Sequence, residues 1–249
     1  MLTRAQEKLI KSLHRKKGRV QSGLCLVEGL KVIGVAASAV DYVFTKEDSL
    51  IFDKLVTTET PQDAAAVAQI PRFTPEDVLS SETILLLDGL QDPGNVGGIF
   101  RLCQGFGASL ILVESADPTS SKVIRASVGS MFSVPWITVS RPKVSDLIER
   151  SQHDVLRLES PINAAGSFFQ KEGKVDYETD SFKNRQTGGI ELFATKKPAM
   201  LIVGSEGRGI QLPVKAPSVS ISHDKALESL NVGHAVAIAL HERYNFLNS

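Results

Sequence analysis

The stretch LDGLQDPGNVGGIFR, residues 87–101, joins an apolar run to a Pro/Gly turn and then to a helical pattern. A nearly continuous apolar run that ends in such a turn is typical of a strand buried on both faces of a parallel sheet. We expect Asn95 to cap the helix, Val96 and Ile99 to lie on its buried face, and Arg101 to lie on the opposite side. The glycine spacing matches neither a dinucleotide-binding fingerprint nor a Walker A loop.

Similar apolar runs recur along residues 83–249 and alternate with helical patterns. The alternation predicts an α/β domain with a parallel sheet, in which ligands bind at the carboxyl ends of the strands. Residues 163–197 are polar and weakly patterned, so we expect an insertion with short elements at most. The predicted strands are Ile84–Leu87, Leu110–Val113, Trp136–Val139, Val155–Leu158, Met200–Val203 and Val219–Ile221.

Residues 1–76 have the pattern of a separate small α/β domain, and Pro71 and Pro75 mark a linker. Eight lysines and arginines but only two glutamates fall within residues 1–31, although the whole chain has a net charge of zero. Such a basic segment is typical of a phosphate-contacting arm, and equally of a solvated amphipathic helix. The predicted elements are a helix over 3–17 capped by Thr3, strands at 24–27, 43–45 and 55–57, and helices from Glu28 and over 61–69.

Two further segments have the residue types of a ligand site. In LIVGSEGRGI, residues 201–210, a buried strand opens into a loop whose glycines permit close backbone approach, and Glu206 can accept hydrogen bonds from a ligand or orient Arg101. In ESLNVGHAVAIAL, residues 228–240, Ser229 or Asn231 can cap a helix kept slim by alanines. Taken singly, these are also the patterns of an ordinary turn and of a capped core helix.

Cysteine usage and hydropathy exclude several classes of protein. The two cysteines form neither a disulfide framework nor a zinc pattern, so we expect no metal and a reducing environment. We find neither a signal-peptide core nor an apolar run long enough to span a membrane. The sequence therefore predicts a soluble, cytoplasmic protein.

Together and in this order, the three segments resemble the SpoU/TrmH-like branch of the SPOUT (trefoil-knot) RNA 2′-O-ribose methyltransferases. The segment KVIRASVGSMFSVP, residues 122–135, adds a fourth match. Arg19 and Val27-Glu28-Gly29 resemble that family's N-terminal substrate-binding domain, which is similar to a ribosomal-protein fold. The resemblance implies a parallel-sheet SPOUT domain with a C-terminal trefoil knot, a homodimer, and S-adenosyl-L-methionine as cofactor.

The resemblance also assigns roles to individual residues. Two departures stand out: Ile221-Ser222-His223 replaces the family's usual Ile-Pro-Met, and Gly233 stands where serine is usual. The implied catalytic residues are Asn95, Arg101, Glu206, Ser229 and Asn231. The implied cofactor-binding residues are Gly204, Ser205, Glu206, Gly207, Gly209, Ile221, His223 and Leu230. The implied RNA-binding residues are Arg15, Lys16, Lys17 and Arg19.

The predicted function is S-adenosylmethionine-dependent 2′-O-ribose methylation of a structured RNA, with ribosomal RNA preferred. Arg101 is implied either as the proton acceptor or as a phosphate clamp. Two alternatives stay open, a transfer-RNA 2′-O-methyltransferase and a non-catalytic RNA-binding or ribosome-assembly protein on the same fold. A Rossmann-type oxidoreductase is disfavoured by the absent glycine fingerprint.

Overall fold

Two sheets organise the chain in the computed structural model, which describes residues 1–160, 187–224 and 226–249. A three-stranded antiparallel sheet has the order β1-β3-β2, and a seven-stranded parallel sheet has the order β6-β5-β4-β9-β7-β10-β8. The strands are β1 Leu24–Glu28, β2 Val40–Thr45, β3 Ala64–Gln69, β4 Thr83–Asp88, β5 Ser109–Val113, β6 Trp136–Val139, β7 Asp154–Leu158, β8 Thr187–Gly189, β9 Ala199–Gly204 and β10 Ser218–Ser220.

Helices cover both faces of the large sheet, so the predicted α/β class is confirmed. All six strands predicted after residue 83 are present within one residue or two of their expected bounds. The helices are α1 Arg4–Leu13, α2 Lys16–Ser22, α3 Leu30–Val35, α4 Phe52–Leu55, α5 Pro75–Leu79, α6 Pro93–Phe106, α7 Ser121–Ala126, α8 Val144–Ser151 and α9 Val232–Leu247. Much of the 163–197 insertion lies outside the described residues.

The N-terminal region corrects three predictions. The helix expected over 3–17 is two helices, α1 and α2. The two helices pack closely at Gly18, where a Cβ would stand 2.1 Å from the Ser12 carbonyl oxygen. The helix expected over 61–69 is wrong, because β3 is the central strand and its backbone bonds to β1 and β2 outweigh the helix preference of alanine. The strand expected over 55–57 is also wrong, because α4 turns there to bury Phe52 and Leu55.

The small sheet buries both faces. Ala65 and Val67 of β3 pack with α1 and α4, whereas Ala66 and Ala68 point the other way and join the core of the large domain. Alternate residues of a strand point to opposite faces, which explains this division. The two domains therefore share one hydrophobic core.

The large sheet likewise has a core on each face. Leu85 and Leu87 of β4 pack with α6, α7 and α9 on one side, whereas Ile84 and Leu86 pack with α5 and α8 on the other. Val78 of α5 lies in this second core, so α5 packs with the large sheet. The division into domains at residues 1–76 and 83–249 stays a prediction.

The last helix is fixed to the sheet by a buried arginine. Arg243 of α9 is 1% exposed, and its guanidinium donates to the carbonyl oxygens of Glu82, Phe193, Thr195 and Lys197, while its Nε donates to the Thr83 hydroxyl. All five of its N–H groups are thus satisfied. The trefoil threading of this region stays a prediction of the resemblance. In the described ranges, no helix combines the length and apolar character needed to cross a bilayer.

Candidate active site

The three segments singled out in the sequence meet at one edge of the large sheet. Strands β4 and β9 are neighbours, and Asp88 pairs with Gly204 at their carboxyl ends. Residues 89–92 lead from β4 into α6, and residues 205–209 follow β9. In a parallel sheet such ends form the ligand-binding edge.

Asp92, not Asn95, caps α6. The Asp92 carboxylate accepts from the Asn95 backbone N–H at 2.7 Å, and Pro93 takes the first helical position, where its missing N–H costs nothing. The expectation that Asn95 is the cap is therefore wrong. Because the cap is supplied upstream, the Asn95 side chain is free to face the other two segments.

Asn95, Glu206 and Asn231 form one hydrogen-bonded cluster. The Asn231 amide donates to Oε1 of Glu206 at 3.0 Å and to Oδ1 of Asn95 at 3.2 Å. The Asn95 amide lies 3.5 Å from the same Glu206 oxygen, and so does the backbone nitrogen of Val232. One carboxylate thus joins the start of α6 to the start of α9, where the helix dipole favours a negative charge.

Asn231 is also the cap of α9. Its Oδ1 accepts from the backbone N–H of Gly233 at 2.9 Å and lies 3.4 Å from that of His234. Ser229, the other candidate cap, is exposed in the preceding loop, and no hydrogen bond of its side chain is found in the described part of the chain. The structure therefore brings together three of the five predicted catalytic residues through direct contacts.

Arg101 lies on the open side of α6, as expected. Its side chain is exposed and has no ion pair or hydrogen bond with any residue that the structure describes. The two preceding glycines differ in role: a Cβ at Gly97 would stand 2.4 Å from the Ala126 Cβ, so α6 packs directly on α7 there, whereas a Cβ at Gly98 would meet open space. The surface beside Arg101 is thus accessible to a large substrate.

The glycine loop is shaped by the backbone. A Cβ at Gly204 would stand 2.2 Å from the carbonyl carbon of Gly209, so only glycine fits. Gly209 adopts a φ of 62° and donates its N–H to the Ser205 carbonyl at 2.8 Å. Gly207 and Gly209 face open space on either side of the exposed Arg208, which leaves a strip of accessible backbone next to Glu206. Ile221, His223 and Leu230 are partly buried.

Asp88 is a site residue that the sequence analysis missed. Its buried carboxylate accepts from the backbone N–H groups of Gln211 and Leu212, at 2.6 and 2.8 Å, and from Arg141 at 2.8 Å. These bonds anchor the chain just beyond the glycine loop. The available signal was an acidic residue at the end of an otherwise apolar strand, since a buried carboxylate needs such partners.

The four predicted RNA-binding residues divide into two groups. Arg15, Lys16 and Lys17 are exposed between α1 and α2 and on the first turn of α2. Arg19 is 5% exposed and donates to the Asp117 carboxylate at 2.6 Å, to the Thr119 hydroxyl, and to the Leu13 carbonyl. We therefore leave Arg19 out of the RNA-facing surface, because its guanidinium is occupied inside the domain interface.

The electrostatics of Asp117 reflect two opposing effects. Burial raises the pKa of this carboxyl, but hydrogen bonds from Arg19 and Thr119 outweigh the burial and hold the pKa below its usual range. The carboxylate form is therefore the one that holds the interface together.

Cys25 and Cys103 are buried free thiols, and burial raises the pKa of Cys25 to about 12.

Comparison with known proteins shows which family the sequence matches. The model of the SpoU rRNA Methylase family matches residues 82–241. The 23S rRNA (guanosine(2553)-2′-O)-methyltransferase of Bacillus subtilis is 27% identical over 93% of this chain and 92% of its own. The 23S rRNA (adenosine(1067)-2′-O)-methyltransferase of Streptomyces laurentii is 30% identical over 88% of this chain and 71% of its own.

A solved structure shares the fold over the whole length. A putative RNA methyltransferase of the TrmH family from Porphyromonas gingivalis has a TM-score of 0.75, is 26% identical, and covers 98% of both chains. The likeness includes the N-terminal domain as well as the residues that the family model matches. The chain, with its three segments gathered at one sheet edge, belongs to the SpoU rRNA methylase family.

Proposed function

We propose that this protein transfers the methyl group of S-adenosylmethionine to a ribose 2′-hydroxyl of ribosomal RNA. The observation that carries the proposal is the cluster of Asn95, Glu206 and Asn231, three polar residues from distant segments that meet beside the exposed Arg101. The names of the Bacillus subtilis and Streptomyces laurentii relatives support the reaction and favour ribosomal over transfer RNA.

The open backbone at Gly207 and Gly209 fits a bound cofactor, because a Cβ at either position would meet no atom within 4 Å apart from its chain neighbours. S-adenosylmethionine, when bound, supplies an activated methyl group. We assign its binding to residues 204–209, to Ile221 and His223, and to Leu230. Asp88 and Glu206 hold this loop from its two sides, so the chain's part is to position the cofactor.

A ribose hydroxyl is a weak nucleophile until its oxygen is oriented and its proton can pass to an acceptor, here a phosphate oxygen of the substrate or solvent. A guanidinium group does not serve as a proton acceptor in proteins, so we assign Arg101 to a phosphate of the RNA and to the charge that develops on the ribose oxygen. Asn95 lies on the same helix and is held by Glu206 and Asn231. We assign Asn95 to the orientation of the ribose.

Arg15, Lys16 and Lys17 form the proposed RNA-binding arm. Reversing their charges should weaken RNA binding and flatten its salt dependence, because fewer counterions are released on binding. An unchanged salt dependence would leave the arm as a solvated surface.

We also propose a homodimer in the cytoplasm. The exposed apolar side chains Ile238, Phe246 and Leu247 on α9 support a subunit contact there. Sedimentation equilibrium tests this assembly, and a monomer at micromolar concentration would contradict it.

The test of the reaction is transfer of tritiated methyl groups from S-adenosylmethionine to total RNA that lacks the modification, followed by nuclease digestion and mass spectrometry. A 2′-O-methylated nucleoside in a ribosomal fragment supports the proposal. A methylated transfer RNA would correct the substrate. Absence of both methyl transfer and cofactor binding, measured by calorimetry, would favour a non-catalytic RNA-binding protein.

A further inference from the structure

A cleft of about 270 Å³ lies between the two domains. One wall is formed by α2 and residues 70–72, and the other by the loop after β5 and by β6. The side chains of this interdomain cleft that carry a charge or an aromatic ring are Lys16, Arg19, Arg72, Asp117 and Trp136. Two of these, Arg72 and Trp136, have no part in the function proposed above.

Ion pairs across the domain interface fix the shape of the cleft. Arg19 meets Asp117 at 2.6 Å, and Arg125 of α7 meets Glu28 of β1 at 2.6 Å. Glu28 is buried, and the Thr57 hydroxyl donates to it at 2.7 Å. A cleft that is already formed costs little ordering when a ligand enters.

The free charge of the cleft is positive. Arg19 and Asp117 neutralise each other, so Lys16 and Arg72 remain. Both are exposed, and neither has an ion pair with a residue in the described ranges. Unpaired cations that line a cleft attract the phosphates of a nucleic acid.

Trp136 adds an aromatic surface. Its ring is partly exposed and is held in place by edge contacts with Phe73 and Phe100 and by a bond from Nε1 to the Met131 carbonyl at 2.9 Å. Aromatic rings beside cations are the usual platform for unpaired bases. The cleft is slightly smaller than the roughly 300–1,000 Å³ of sites that enclose a whole small molecule, which suits one unit of a polymer.

The cleft is connected directly to the proposed catalytic edge. The backbone N–H of Leu90 donates to the Ser115 hydroxyl at 3.0 Å, and the N–H of Ala116 donates to the Leu90 carbonyl at 2.7 Å. Ser115 lines the cleft, and Leu90 belongs to the segment that carries Asn95 and Arg101. The cleft therefore adjoins the segment that carries these two residues.

We propose that the interdomain cleft binds an unpaired nucleotide of the RNA strand that flanks the methylated one. Lys16 and Arg72 neutralise its phosphates, and Trp136 lies against its base. This inference rests on the proposed function in two respects, namely that the substrate is RNA and that Lys16 also belongs to the proposed RNA-binding arm, whereas Arg72 and Trp136 belong to the cleft alone.

Trp136 is the single tryptophan of the chain, so its fluorescence reports directly on the cleft. The experiment titrates the full chain with a single-stranded oligouridylate and, at equal phosphate concentration, with an RNA duplex. We expect the single strand to quench the fluorescence and the duplex to leave it unchanged.

The Lys16→Ala/Arg72→Ala variant should bind the single strand about tenfold more weakly, with the slope of log Kd against log salt reduced by about 1.4, roughly 0.7 for each lost phosphate contact. The matched control is Lys54→Ala/Arg150→Ala, which removes the same charges from exposed sites away from the cleft. The control should bind like the unaltered protein.

Equal quenching by the duplex, or unchanged affinity of the Lys16/Arg72 variant, would overturn the inference. This readout needs no methyl transfer. If the protein methylates RNA without a change in Trp136 fluorescence, the cleft proposal is wrong and the proposed function stands. If RNA quenches the fluorescence but no methyl group is transferred, the cleft proposal stands and the proposed function is wrong.

Discussion

The side-chain amide of Asn231 lies 3.0 Å from Oε1 of Glu206 while its carbonyl oxygen caps α9. One residue thus fixes the start of the last helix and holds the carboxylate of the glycine loop. This double role means that its contributions to folding and to the site can be separated by choice of substitution.

We expect Asn231→Ala to lower the free energy of unfolding by about 1 kcal/mol, the usual cost of a lost N-cap, and to lower methyl transfer as well. Asn231→Asp keeps the cap, so it should lower the free energy of unfolding in urea by less than Asn231→Ala does. Its carboxylate would repel Glu206, and methyl transfer should still fall. Full activity of Asn231→Asp would show that the contact with Glu206 is dispensable.

Arg101 serves the reaction rather than the fold, because it is exposed and has no partner among the described residues. Arg101→Ala should lower kcat by about 100-fold or more, the range typical of a positioned polar group, with melting temperature and cofactor affinity nearly unchanged. Arg150→Ala, which removes an exposed arginine from α8, is the control. Normal turnover of Arg101→Ala would show that methyl transfer does not require Arg101.

Two glycines of the same loop should respond differently to alanine. At Gly204 the added methyl would collide with the Gly209 backbone, so we expect a lower melting temperature together with lost cofactor binding. At Gly207 it would enter open space, so the melting temperature should stay unchanged while cofactor affinity falls. Calorimetry measures the cofactor affinity and thermal unfolding measures the melting temperature. If Gly207→Ala leaves the cofactor affinity unchanged, the cofactor does not bind at this strip.

Replacement of Arg243 should be among the most damaging changes to the fold. Arg243→Met leaves four carbonyl oxygens and the Thr83 hydroxyl without their donor in a buried site, at a cost of about 3–5 kcal/mol in the free energy of unfolding. Arg150→Met, at an exposed position, should change that free energy by less than about 0.5 kcal/mol. Urea denaturation gives both values, and similar midpoints would contradict the assignment of Arg243 as a structural anchor.

The domain interface should weaken in acid. The pKa of Asp117 is lower in the folded chain than in the unfolded one, so its stabilising effect is present above pH 4, roughly the unfolded value, and is lost as the pH falls through the folded value. Asp117→Asn should remove this part of the pH dependence. A stability profile below pH 5 that is the same for both proteins would contradict this role.

The strands of the large sheet could be predicted because burial on both faces leaves continuous apolar runs, as in β4 and β9. β3 could not, because AAAVAQ favours a helix locally and becomes a strand only through β1 and β2. The cap of α6 was predicted three residues too late, at Asn95; the signal that favours Asp92 is Pro93, which directly follows it and suits the first helical position.

The site shows the same division. The resemblance named Asn95, Glu206 and Asn231 as catalytic residues, and in the structure their side chains contact one another. Their catalytic roles stay a prediction. Arg19 looked like part of the basic arm because a charge pattern does not reveal which cation turns inward. Its partner, Asp117, stands 98 residues away and carries no local signal.

The N-terminal region is difficult to exchange between relatives, because it shares a continuous core under β3 with the large sheet and is joined to it by the ion pairs Arg19–Asp117 and Glu28–Arg125. Consider a chimera that joins residues 1–74 to the catalytic part of a relative. It would expose apolar surface of the small sheet, and it would leave Arg19 and Glu28 without their partners unless Asp117 and Arg125 were transferred as well. Single substitutions on the exposed surface of the N-terminal region are therefore tolerated more readily than exchange of that region as a block.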